Sequence, residues 1–148
     1  MIHSRILEHL LDDCGFAGTS TGLISVEALQ SKIKKARKEI VSNLDNTSLE
    51  HPVPYRVLAT HCLSRKKPLD EETFIALWLN NLFTTIVTAR QNRMLIKFQS
   101  DFKIGDCWRK MYERAGVMLV DDPDFRNNQT RIKFGLEPSK KGRKKNAK

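Results

Sequence analysis

The sequence predicts a mainly α, α+β fold: a compact helical domain closed by a C-terminal helix and a β-hairpin. Three observations carry that expectation. Up to Gly116, apolar residues recur at three- and four-residue steps, the mark of helices with one buried face. An uncharged run, Thr73 to Ala89, is suited to the centre of such a fold. Beyond Gly116, two short β-type runs flank a turn-rich loop.

The elements follow in order. Ile2, Ile6, Leu7, Leu10, Leu11 and Cys14 repeat at helical spacing, and Gly15 stops the run, so a first helix spans 2–14. Residues 15–23, "GFAGTSTGL", read as a flexible connection rich in glycine and hydroxyls. Ser25 can cap a second helix over 26–41, with Val26, Leu29, Ile33, Ala36 and Ile40 as its buried stripe. Residues 42–53 are polar and end at Pro52 and Pro54, which reads as a linker. Pro54 suits the start of a helix over 55–63. After "SRKKP", Asp70 caps a long helix over 71–90, with Glu71 and Glu72 favourable at its positive end. Residues 92–98 fit either a continued helix or a short strand. Ser100 to Gly105 form a turn, and Asp106 caps a helix over 107–115 whose apolar face is Trp108, Met111, Tyr112 and Ala115. Val117–Val120 and Thr130–Phe134 then pair as a hairpin across "DDPDFRNNQ". The domain division is 1–138 as one helical domain, or lobes 1–45 and 54–138, followed by a basic disordered tail at 139–148.

Charge narrows the partner. The 148 residues carry a formal +9, but residues 140–148, "KKGRKKNAK", hold six Lys/Arg and no acid, while residues 1–139 hold twenty against seventeen and so carry only +3. A body of modest charge with a cationic tail suits an anionic partner. Within the body, Lys32, Lys34, Lys35, Arg37 and Lys38 line one helix against a single acid, Glu39.

Several classes find no footing. Cys14, Cys62 and Cys107 are an odd, widely spaced set, which argues for a reducing compartment, and Cys62 and Cys107 read as buried structural thiols. The first residues lack the cation-then-apolar order of a secretory signal. Thr73–Ala89 is shorter than the ~20 apolar residues of a membrane span and carries a polar Asn/Thr stripe. Leu23 follows Gly22 where a phosphate loop would need lysine. His61 and Cys62 are adjacent, which is not metal-ligand spacing, and "DDPDFRNNQ" lacks a calcium loop's glycine. No nucleophile elbow, dinucleotide loop or paired-histidine motif occurs. The expectation is a non-enzyme with no cofactor, no metal and no membrane partner, cytoplasmic, or nuclear in a eukaryotic host.

The C-terminal region carries the functional reading. Arg109, Lys110 and Arg114 lie away from the apolar face of their helix. Arg126, Asn128, Arg131 and Lys133 belong to the expected hairpin, where Arg contacts guanine or phosphate and Asn contacts adenine. In element order, residues 100–134 resemble the end of a winged helix. That resemblance implies a helix in the major groove and a hairpin on the adjoining backbone. Lys32, Lys35 and Lys38, with Lys140, Lys141, Arg143, Lys144 and Lys145 of the tail, would add attraction by counterion release. The leading expectation is therefore a DNA-binding protein: a transcription regulator, or an accessory factor of replication or DNA transfer. Such proteins commonly pair to read two half-sites, so a homodimer fits. RNA is disfavoured because aromatic residues are few and core-like in position. The alternative is a protein–protein adaptor or secretion-associated chaperone-like module that uses the apolar helix 74–89.

Overall fold

The computed structural model describes residues 19–139. The expected helix 2–14 and the tail 140–148 lie outside the described residues. Between Thr19 and Ser139 the chain forms four strands and six helices: β1 (Thr19–Ser25), α1 (Val26–Ala36), β2 (Thr47–Glu50), α2 (Tyr55–Leu63), α3 (Glu71–Asn81), β3 (Phe83–Thr88), α4 (Ala89–Phe98), α5 (Trp108–Arg114), β4 (Leu119–Asp121) and α6 (Asn128–Lys133). The strands make one mixed sheet in the order β2-β3-β1-β4. The central pair, β1 and β3, is parallel, while β4 on β1 and β2 on β3 are antiparallel.

This α+β architecture overturns the helical body with a winged-helix-like end. The expected loop at 15–23 gives way, from Thr19, to a central strand. Thr21 secures it by donating its hydroxyl to the Thr84 carbonyl at 3.0 Å and by meeting the Thr85 hydroxyl at 3.1 Å. The expected linker contains β2. The expected helix 71–90 ends at Asn81, because Phe83–Thr88 is a run of aromatic and β-branched residues that pack better on a pleated surface. Thr88 then opens α4 with a capping box: its hydroxyl accepts from Gln91 N, and the Gln91 side chain accepts from Thr88 N. Residues 92–98 are therefore helical. The helix 26–41 closes at Ala36, and Asp106 does not cap α5: Cys107 stands at the cap position without a side-chain bond, and Asp106 accepts from Lys103 N at 2.7 Å within the preceding turn.

The hairpin itself is absent. β4 pairs with β1, and residues 128–133 are helical. Asn127 accepts from Gln129 N and Thr130 N, and Gly135 takes a left-handed φ of 66° past the other end. Cap chemistry at both ends of the segment outweighs its short alternation.

Register sorts the sheet's two faces. Phe83, Thr85 and Val87 point toward α4 and α5, where Val87, Leu95, Met111, Tyr112 and Val117 make a buried cluster. The opposite face, with Ile24 fully buried, lies under α1. A second cluster, Val53, Leu58, Trp78 and Leu82, joins α2 to α3, and Phe102 touches both clusters.

Candidate nucleic-acid interface

The candidate cations fall into groups with different neighbours. Lys32 is spent inside the fold: its ammonium holds both Asp122 carboxylate oxygens at 2.6 and 2.9 Å. Arg126 pairs with Asp124 at 2.8 Å; that bond holds the Asp124 carboxyl below its usual range and pushes the guanidinium higher still. These pairs neutralise two of the three acids that open the loop. Asn128 accepts from the Ser139 backbone at 2.8 Å, so its side chain holds the segment that follows α6.

Arg109, Lys110 and Arg114 on α5 are exposed, but they do not face open solvent alone. Lys110 and Arg114 line a cavity of about 430 Å³ that also holds Asp101 and Asp106. Arg109 lies over its neighbour's indole ring, 5.1 Å from the Trp108 centroid. Cys107, expected to be buried here, is exposed. The start of α1 meets the residues after α5, with Val26 N donating to Met118 O at 3.0 Å. α5 itself packs with α4 on the sheet face opposite α1, so its cations lie on another side of the sheet from those of α1.

The other end of α1 collects a different set. Lys34, Lys35, Arg37 and Lys38 are exposed on its last turns. The Arg37 guanidinium reaches the Phe134 carbonyl at 3.5 Å, and a Cβ on Gly135 would lie 3.6 Å from it. This contact brings the C-terminus of α1 against the C-terminus of α6, beside Arg131 and exposed Lys133. Arg131 donates from Nε to the Glu137 carbonyl at 2.6 Å, which folds the chain back along α6, and Ser139 N then meets Asn128 at the N-terminal end of that helix.

Backbone strain marks the corner. Lys38 has φ 64°, the one positive φ at a non-glycine among the described residues. It stands at the position after the helix cap, where Lys38 N returns to Lys35 O and Glu39 N to Lys34 O. α5 and α6 end in the same motif with Gly116 and Gly135. A side chain in this conformation costs roughly 1 kcal/mol or more, so α1 keeps lysine where its companions keep glycine.

One polar cluster was invisible from sequence. On β2 the alternation is inverted: Leu49 is 63% exposed, whereas Glu50 is 2% exposed. Glu50 accepts from Gln99 Nε2 at 2.5 Å and from the Tyr112 hydroxyl, and burial pushes its carboxyl up to about 8. His51 Nε2 and the Tyr55 hydroxyl, 3.0 Å apart, stand with Asn92 and Gln99 around a cavity of about 200 Å³. The acid sits in a stretch whose composition reads as linker, and only the fold over β2 reveals it.

Tyr112 and Trp78 are buried, and the other described Phe, Tyr and Trp side chains are partly buried. Among the described residues, no group of three or more His, Cys, Asp or Glu is arranged to hold a metal ion, and no helix is long and apolar enough to cross a membrane. No protein-family model, no curated protein and no solved structure matches the chain.

Proposed function

We propose that this protein binds duplex DNA without catalysis, through the phosphate backbone, at the corner where α1 and α6 end. The contact of Arg37 with the Phe134 carbonyl carries the reading, because it joins two cationic helix ends on one surface. Lys35, Arg37, Lys38 and Lys133 provide exposed charge there, and the tail provides six more Lys/Arg. Of the acids nearby, Asp122 is matched by Lys32 and Asp124 by Arg126, while Glu39 and Glu137 are exposed.

The chemistry favours positioning over base reading. Exposed lysines grip phosphate at any sequence, whereas the Asn128 side chain, expected to read adenine, is engaged by the Ser139 backbone. The lack of exposed rings among the described residues disfavours a base-stacking platform for single strands. An accessory role on duplex DNA, in replication or DNA transfer, fits this better than a regulator that selects one operator. The test is fluorescence anisotropy of the full chain against unrelated duplexes over a salt series. Similar affinities that fall steeply with salt are expected. No binding at low salt, or binding indifferent to salt, would overturn the reading.

A further inference from the structure

Helix α3 is apolar on more faces than the described fold covers. Phe74, Leu77 and Trp78 turn toward α2 and the second cluster. Ile75 and Leu79, one turn apart on another face, are 44% and 53% exposed, and Ala76 beside them is also exposed. Leu63, at the end of α2, is 63% exposed. A helix this apolar is ordinarily packed on several sides.

We propose that this chain's own residues 2–14 cover that face. Three observations select this occupant. First, the chain enters the described fold at Thr19, whose register partner is Phe83, two residues beyond the end of α3. The preceding segment therefore arrives beside the C-terminal end of the uncovered helix. Second, the length fits. Thirteen residues in helical form span about 20 Å against about 16 Å for α3, and the four residues 15–18 reach roughly 13 Å. The sequence pattern supplies a stripe to match, Ile2, Ile6, Leu7, Leu10, Leu11 and Cys14. Third, the segment's one Arg finds acids, although the segment also carries Glu8, Asp12 and Asp13. A segment lying beside α3 with its residue 14 near Asn81 brings Arg5 toward exposed Glu71 and Glu72.

The test places a photo-crosslinking amino acid, p-benzoylphenylalanine, at Leu79 of the full chain at low micromolar concentration. Leu79 is half exposed, so the replacement leaves the described packing in place. The cross-linked peptide is then identified by mass spectrometry. A monomeric product joining position 79 to residues 2–14, lost when Leu7→Asp and Leu10→Asp are added, is the expected result. A dimeric product would assign the face to a second copy. A product only with foreign protein added as lysate, or no product at all, would leave the face uncovered by this chain. Each of those three results overturns the proposal.

Discussion

The two ends of α1 are built on opposite rules. At its start, polar atoms are matched inside the protein: Ser25 caps Ala28 N and donates to Gln91 Oε1 at 2.6 Å, Gln91 Nε2 donates to Glu27 at 2.7 Å, and Gln91 also closes the Thr88 capping box. This knot ties the C-terminal ends of the two parallel strands together. At its finish, Lys34, Lys35 and Lys38 are exposed, and Lys38 holds a strained backbone. Buried polar groups stabilise a fold only when all are partnered, whereas a surface meant for a polyanion must keep its charge available. Substitutions at the first end should therefore change stability, and substitutions at the second should change binding.

The largest effect should come from Gln91→Ala, which leaves the Ser25 hydroxyl, Thr88 N and Glu27 without their shared partner. A loss of roughly 3 kcal/mol in urea unfolding is expected, with the salt dependence of DNA binding retained. A loss below ~0.5 kcal/mol would break the contrast between the two ends.

Glu50 sharpens the contrast through pH. Its folded carboxyl sits at about 8 against an ordinary 4.5, because burial disfavours the charged form. Between those values the unfolded chain ionises while the folded chain keeps its proton. The contribution of Glu50 to stability is therefore fullest below about 4.5, falls as pH rises to about 8, and levels above that. The total change is on the order of a few kcal/mol. Glu50→Gln should flatten this profile and unfold at higher urea than the wild type at alkaline pH; an unchanged pH slope would show that Glu50 is not its source.

The smallest effect is expected at Lys38. Lys38→Gly relieves the left-handed strain and should stabilise by about 0.5–1 kcal/mol, offset in part by glycine's greater freedom in the unfolded chain. Thermal unfolding checks the sign. A lower midpoint would mean that the lysine side chain makes a stabilising contact exceeding its backbone cost.

The same contrast explains what the sequence could tell. Helix α2 was legible to the residue, because Pro54 opens it and its apolar spacing is undisturbed. The caps at Ser25 and Asp70 were legible as well, since a hydroxyl or carboxylate before an apolar period has one strong local use. Residues 83–88 were not. Their apolar residues satisfy helical spacing as well as strand alternation, and only pairing with β1 and β2 decides between them. The capping box Thr88–Gln91 was a readable sign of the break that the uncharged run masked. At 128–133, "NNQTRIKFG" carries both an alternation and a pair of helix caps, and the caps prevail. The cations were visible, but their pairing was not: nothing local joins Lys32 to Asp122, ninety residues on, or brings Arg37 to Phe134.

The central claim is that nucleic-acid contact belongs to the α1–α6 corner and not to α5. It is tested most directly by the salt dependence of duplex binding in two variants of the full chain. Arg37→Ala, Lys38→Ala and Lys133→Ala together should reduce the slope of log K against log salt by about one for each cation that had neutralised a phosphate. Arg109→Ala, Lys110→Ala and Arg114→Ala together should leave the slope at its wild-type value. A slope that falls in the second variant and holds in the first would contradict the account.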